Sequence, residues 1–308
     1  MGIKRFGLIA AIGYGVFLGG GAYGVKTATQ NGLQAAQAMG VPVTFDSVHT
    51  LTSPAALTAR VDEVAYTGPV SVTAPWIKVN VPVTALTTVR LTTPEVMNVG
   101  LAGGWTELAT DDLTASATFA ASTEAALRGA AVTADKLVLG NTGWAGQGLD
   151  LQMKQGLTPT DYDVTLDLAE LALPTDQHPP IAPVHLVGAF STDVTVAFNT
   201  GTPWRLTALR ITEASIVWGD ITAKASGDLK ADANGQAEGV VQLNVTEWQG
   251  LIGLLAEAGL IDPQTVGGLT SIAKGLEAPD GSLSLPLSFG GGVIRIGFIP
   301  VGPAPYLQ

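Results

Sequence analysis

Beyond residue 42 apolar side chains recur at every second position, and that period is the one a pleated strand imposes, not a helix. Val70, Val72, Ala74 and Trp76 alternate with small or polar residues; after Pro75–Trp76 the phase moves to Ile77, Val79, Val81 and Val83. Leu149, Leu151 and Met153 alternate with Asp150, Gln152 and Lys154, and Val164, Leu166 and Leu168 repeat the pattern, as do Val194, Val196 and Phe198. Alternation of this kind marks antiparallel strands with one buried and one wet face. The composition agrees: 46% of the residues are hydrophobic and only 13% charged, about half the usual charged share. Scarce Lys, Glu and Arg leave little for surface helices, whereas Thr and Val suit a pleated surface.

Turn residues divide the strands. Thr67-Gly68-Pro69, Gly103-Gly104, Asp176–Pro183 and Gly201-Thr202-Pro203 punctuate the chain, and residues 174–184 are a candidate sub-boundary within one β-rich domain over 41–308. Asn234-Gly235 predicts a type I′ hairpin turn, followed by Val241, Leu243 and Val245 on one face. Ile216/Trp218 and Ile221/Ala223/Ala225 meet in opposite phase at Gly219-Asp220, which predicts a bulge there. One stretch breaks the β pattern. Thr246–Ala258 sets Trp248, Leu251, Ile252, Leu255 and Ala258 on one helical face, with Thr246 and Gln249 as a capping box and Gly259 as the stop. A second helix is expected from Pro263 to Lys274, then strands through Leu283/Leu285/Leu287/Phe289 and Ile294/Ile296/Phe298. Pro300, Pro303 and Pro305 cannot donate to a ladder, so the tail is expected to leave the sheet as an extended edge segment.

The N-terminus obeys a different rule. After Lys4 and Arg5, Phe6–Gly24 carries no charged residue and in helical form spans about 28 Å, close to the hydrocarbon thickness of a bilayer. Positive charge ahead of it predicts a cytoplasmic N-terminus with the remainder translocated. Residues 1–25 read as a membrane anchor, the alternative being a signal peptide cleaved near Ala22 and Gly24. The helical spacing of Leu33, Ala36 and Met39 continues through a juxtamembrane helix over 26–40, which favours the anchor. Gly15/Gly19 and Gly20/Gly24 have the spacing of a membrane-helix pairing face.

Toward the C-terminus, Asn234-Gly235-Gln236, Trp248 and Leu255 on an apolar helix, Ala258–Pro263 and the ending Gly297-Phe298-Ile299-Pro300-Val301-Gly302-Pro303-Ala304-Pro305 together resemble the domain-of-unknown-function family 2125. The resemblance is carried by residues 214–305; over 41–210 only strand rhythm and anchor placement agree. The resemblance implies members that often have Gly-Pro where this chain has Gly297-Phe298, and a basic residue where Tyr306 stands. It implies an uncharacterised, largely alphaproteobacterial envelope protein of AsmA-like architecture, with an inner-membrane anchor and a curved, groove-like sheet. It brings no catalytic residues.

The chemistry visible in the residues is sparse. Cysteine is absent, which removes thiolate catalysis and Cys-based metal sites. His178 and His185 are separated by PPIAPV, which cannot be helical, so two-His zinc geometry on one helix is excluded. No GxSxG elbow accompanies His49 or His185, and the glycine triplets lack the Lys and helix of a phosphate loop. Asp111-Asp112 and Asp161/Asp163 read as solvated turns, and the Asn244 glycosylation match as incidental. A net charge of −11 opposes nucleic-acid binding. The expectation is therefore an α+β protein: an N-terminal membrane helix, then a long curved antiparallel β-sheet with the C-terminal helix pair packed on its concave face. No enzyme activity or cofactor is expected. The inner membrane and a lipid are the expected partners, with an envelope protein as the alternative; the main domain is placed in the periplasm. Trp248, Leu251, Ile252 and Leu255 are the candidate apolar groove or partner face.

Overall fold

The computed structural model describes residues 22–38, 41–51, 55–68, 71–101, 104–122, 124–174, 179–197, 204–257 and 263–307. Antiparallel strands dominate, with few helices, and the chain forms two compact units, Met1–Asp163 with Thr192–Arg205 and Val164–Ser191 with Leu206–Gln308. Residues 174–184 lie within the second unit.

In the first unit helix α1 (Ala22–Ala38) precedes β1 (Val43–Thr44), β2 (Ser47–Leu51), β3 (Ala56–Tyr66), β4 (Ser71–Pro82), β5 (Thr88–Thr92), β6 (Val96–Leu101), β7 (Gly104–Asp111), β8 (Thr114–Phe119), β9 (Leu127–Leu139) and β10 (Trp144–Gln155). The strands form an antiparallel meander. β3 pairs with β1, β2 and β4, and β4 pairs with both β5 and β6; β5 continues to β8, β6 to β7, and β9 receives β7 and β8 before turning into β10. β5 and β6 thus behave as one long strand broken at Thr93-Pro94-Glu95, facing a second one broken at Asp112-Leu113. Pro94 has no N–H to give the ladder, and Asp112 sits at a φ of 48°. The gap is closed by the Thr110 N–H on the Glu95 carbonyl at 2.6 Å and the Thr110 hydroxyl on the Pro94 carbonyl at 3.2 Å.

The phase change read at Pro75–Trp76 is present, since Ala74 and Ile77 are both buried. Its partner strand does the same. On β3 burial passes from Val61 to Val64 across Glu63, held at a φ of 51° between the registered pairs Asp62–Trp76 and Val64–Ala74. Both strands turn over together, so the ladder survives the change of face.

α1 covers one face of β1–β3. Leu33 is 0% exposed, Thr29 is equally buried, and Val43, Val48 and Val61 form the core beside them; Gln37 Nε2 donates to the Val43 carbonyl at 2.8 Å. The helix expected over 26–40 is found, beginning earlier, at Ala22. Among the described residues no helix is long and apolar enough to cross a membrane. The anchor segment lies outside the described residues except for Ala22–Gly24, the first residues of α1; Gly15, Gly19 and Gly20 lie outside, and only Gly24 falls within.

β11 (Asp161–Ala172) begins in the first unit and continues into the second. Tyr162, 0% exposed, donates its hydroxyl to the Leu127 carbonyl at 3.4 Å. Burial pushes its phenol above the ordinary value of 10.0, because the anion would lose its hydration. The fold therefore favours the neutral ring. That stability is fully present below pH 10 and is lost as pH rises through 10 toward the folded value. In urea titrations between pH 8 and 11, wild type should lose more stability above pH 10 than Tyr162→Phe; parallel curves would contradict the assignment.

The second unit adds β12 (Ile181–Thr192), β13 (Leu206–Trp218), β14 (Ile221–Ala231), β15 (Ala237–Val245), α2 (Trp248–Glu257), α3 (Pro263–Leu276), β16 (Leu283–Gly290), β17 (Val293–Ile296) and β18 (Ile299–Pro303). β13 to β18 pair in chain order, all antiparallel, with α2 and α3 inserted between β15 and β16.

Several local expectations need correction here. Gly219-Asp220 is a tight turn, with Trp218 paired directly to Ile221; the bulge lies between Ile211 and Ala214. The β14–β15 hairpin forms, but its loop is wider than a type I′ turn because Asp232 takes it over. Asp232 Oδ1 accepts the N–H groups of Asn234 and Gln236 at 2.8 and 2.9 Å, and Gly235 alone takes a left-handed φ, of 80°. Phe298 is no strand residue: β17 ends at Ile296, and Phe298 is 95% exposed in the turn to β18. The tail stays in the sheet as β18, then crosses back: Ala304 N–H bonds the Gly292 carbonyl, Ala237 N–H the Pro305 carbonyl and Leu307 N–H the Gly235 carbonyl, at 2.9, 2.9 and 2.8 Å. Its prolines serve as acceptors, which needs no N–H. Asp232→Ala should cost about 1–3 kcal/mol, since two backbone donors lose a charged acceptor; a chemical-denaturation midpoint unchanged from wild type would refute the role given to Asp232.

Candidate functional site: an apolar chamber beneath the helix pair

Alternation on β13–β16 points one row of each strand to the same side. Trp218, Ile221, Ala223, Val245, Leu283 and Leu285 gather at one end of this face, and Leu209, Ile211, Leu229, Val241, Leu287 and Phe289 at the other. The first group is roofed by α2 and α3. Trp248 is 2% exposed against it, Leu251 and Ile252 pack beside Trp248, and Ala273 comes down from α3. Among the described residues no helix packs on the second group; Leu307 of the returning tail packs there.

Between roof and sheet lies a cavity of about 120 Å³ lined by Leu243, Val245, Trp248, Leu251, Ile252, Ile272, Ala273, Leu283, Leu285 and Ile296, with no polar side chain among the described residues. The described lining offers entering water no hydrogen-bond partner. Of the four residues proposed from sequence, Trp248, Leu251 and Ile252 do meet around this cavity. Leu255 lies in α2 with its side chain outside the described set. Helical spacing missed Leu254, which also packs on the cluster, and the α3 contribution of Ile272 and Ala273. The sheet half was readable as the alternations Leu243/Val245 and Leu283/Leu285.

The capping box is not formed. Thr246 still faces Thr222 across the ladder, and its hydroxyl accepts the Thr222 N–H at 2.9 Å rather than serving the helix. α2 instead starts from Glu247, at a φ of 50°. Trp218, in the same cluster, donates its indole N–H to the Pro179 carbonyl at 2.9 Å, fixing the approach to β12.

The polar groups gather elsewhere. On the opposite side of β2–β3 from Val48 and Val61, Ser47 Oγ lies 3.0 Å from His49 Nε2, and Asp62 Oδ2 lies 3.4 Å from the same nitrogen. Serine and carboxylate converge on one ring nitrogen, so the imidazole cannot take a proton from one while being oriented through its other nitrogen by the other. Asp62 is also engaged by Arg60 Nε at 2.6 Å. His185 Nδ1 meets Asp167 Oδ1 at 2.6 Å on the exposed side of β11–β12, while His178 lies outside the described residues. Asp111 is registered opposite Lys136, and Asp161 and Asp163 flank buried Tyr162. Among the described residues no three His, Asp or Glu side chains gather as a metal site would require.

The residues singled out in the C-terminal resemblance meet in this unit. Gln236 lies over Gly292, where a Cβ would stand 2.9 Å from its Oε1, and the tail pairs with Gly235 and Ala237. A family model described as an uncharacterized protein conserved in bacteria, DUF2125, matches residues 21–305. The chain belongs to this family. Neither a curated protein nor a solved structure matches it. For this family member the roofed chamber joins the helix residues of the resemblance to strands that carry no motif. Removing its central side chain by Trp248→Ala should cost about 3–5 kcal/mol, read as a lowered denaturation midpoint; a loss below about 1 kcal/mol would show that Trp248 is not packed as described.

Proposed function

We propose that this protein is a non-catalytic, membrane-anchored protein of the bacterial envelope that handles lipid, an acyl chain occupying the chamber beneath α2 and α3. The observation that carries the reading is the chamber's lining, which among the described residues offers hydrocarbon and no hydrogen-bonding group. Ligand sites ordinarily combine apolar walls with a few polar groups; a wall with none selects for a group that is itself hydrocarbon. The half-buried row Leu209, Ile211, Leu287 and Phe289 extends the same face beyond the roof, so a chain longer than the cavity has apolar surface to follow.

The N-terminal segment supports the location. Lys4 and Arg5 before Phe6–Gly24 place the N-terminus in the cytoplasm by the charge rule, with the segment retained as an inner-membrane anchor and both β units in the periplasm. On this reading the face carrying the helix pair is the concave one, as in AsmA-like architecture. A second reading, an anchored module that docks an envelope protein, is favoured by the exposed Phe298, Ile299 and Tyr306 at the β17–β18 turn and tail, since exposed apolar groups rimming a sheet edge suit partner contact.

Native mass spectrometry of the full chain, extracted gently from membranes, separates these readings. Lipid should co-purify, and Ala273→Leu, which pushes a larger side chain into the cavity, should lower its occupancy about tenfold or more in a variant that circular dichroism shows to be folded. Wild type free of lipid, or a variant that retains it, would sink the lipid reading. A stoichiometric protein partner in the absence of lipid would establish the second.

A further inference from the structure

The outer face of the first unit carries a feature that the lipid reading does not use. On β7, Trp105 is 59% exposed, yet its ring is not loose. A Cβ on Gly100, its registered partner on β6, would stand 3.4 Å from both bridgehead carbons of the indole. The ring therefore lies flat on the glycine backbone, as an aromatic does when it shields a glycine within a sheet, and its other face is open. A side chain at position 100 would touch the ring and crowd Ser71, whose Cβ would stand 3.1 Å away.

Beside the ring is a hollow of about 510 Å³ bounded by Trp105, Glu107, Ala109, Val138, Gly140 and Thr142. Thr106, Glu107 and Thr142 are its polar lining residues, and the register sets further polar groups beside Glu107 on the β6 side. Thr73, Asn98 and Glu107 follow one another across β4, β6 and β7, and Asn98 and Glu107 are both exposed. Ser71, Gly100 and Trp105 form the adjacent row. Across three strands spaced about 4.8 Å apart, a stacking surface thus lies next to a carboxamide and a carboxylate.

We propose that this hollow is a binding site for a neutral oligosaccharide, with the C–H face of one sugar ring stacked on Trp105. The Glu107 carboxylate accepts hydrogen bonds from ring hydroxyls, and the Asn98 carboxamide both donates and accepts. The combination fits a polyol: an amphipathic aromatic takes the apolar face of the sugar, while charged and amide acceptors take its hydroxyls. Glu107 and the chain's net charge of −11 turn away phosphorylated or uronic ligands. The site stands on side chains of the first unit, none of which lines the lipid chamber, and does not depend on that reading.

The test uses the full chain in a non-glycosidic detergent, which avoids competition from sugar headgroups. Saturation-transfer NMR and calorimetry would be run with cellohexaose, maltohexaose and an N-acetylglucosamine tetramer, with a lysine-rich peptide as the comparison. One of the oligosaccharides should bind saturably with a Kd on the order of 0.1–1 mM. Trp105→Ala should weaken it about tenfold or more, Trp105→Phe by about threefold or less, and Asn98→Ala by an intermediate amount. Circular dichroism should be unchanged in all three variants, with the melting temperature lowered only in Trp105→Ala, which uncovers Gly100. Should Trp105→Ala fail to fold, Asn98→Ala and Trp105→Phe still report on the site. Absence of binding by all three sugars, equal binding by Trp105→Ala, or Trp105-dependent binding of the peptide in their place would overturn the proposal.

Discussion

A β-sheet satisfies its backbone hydrogen bonds from within but cannot cover its own faces. Everything else in this protein follows from how that second need is met. Among the described residues three helices provide cover: α1 over β1–β3, and α2 with α3 over one end of the face formed by β13–β16. Beneath α2 and α3 the strand residues Trp218, Ile221 and Val245 are buried, while Leu209, Ile211 and Phe289 at the other end of that face stay half-buried. The apolar chamber sits at the boundary between the two regimes. The roof of the chamber is made by a helix pair whose side chains do not fill all the space above the strands.

The long strands are held to one ladder by placing their interruptions opposite each other. Pro75 on β4 falls beside left-handed Glu63 on β3, and the Pro94 break falls beside left-handed Asp112. A proline cannot donate, so the neighbouring strand relaxes at the same height and pairing resumes beyond it. In the second unit a comparable economy ties down the chain end. The tail donates and accepts at the β14–β15 loop, and Leu307 is set on the uncovered end of the apolar face. Residues far apart in sequence, Asn234-Gly235-Gln236 and Pro303-Ala304-Pro305, thus belong to one structural element.

Much of the fold was legible before any coordinates. Period-two alternation identifies β4, β10, β11 and β13–β16 but fails at Val194 and Val196, which lie beyond the end of β12 outside any strand; the phase change at Pro75–Trp76 is present, and helical spacing places α2 and α3 within a residue or two. Trp248, Leu251 and Ile252 were read as one face, and they do line one cavity. The errors share a cause, which is that local rules name a residue's options and not its partner. Thr246 matches a capping pattern, yet its hydroxyl finds Thr222 first because the strand has not ended. Asn234-Gly235 matches a type I′ turn, yet the Asp232 carboxylate claims the loop's donors. Gly219-Asp220 looked like a bulge because the phase reverses there, and a two-residue turn reverses it equally well.

The sequence by itself determined the class of fold, the scarcity of surface charge and the apolar rows, because hydropathy period depends only on neighbours along the chain. It also determined the absence of thiol chemistry and the apolar segment at the N-terminus. The tertiary structure decided which rows are roofed and which remain open, since that depends on where helices inserted between β15 and β16 come to rest. It likewise decided that Trp105 lies flat on Gly100 beside Asn98 and Glu107. Register between strands is a long-range choice, and no local pattern in a single chain carries it.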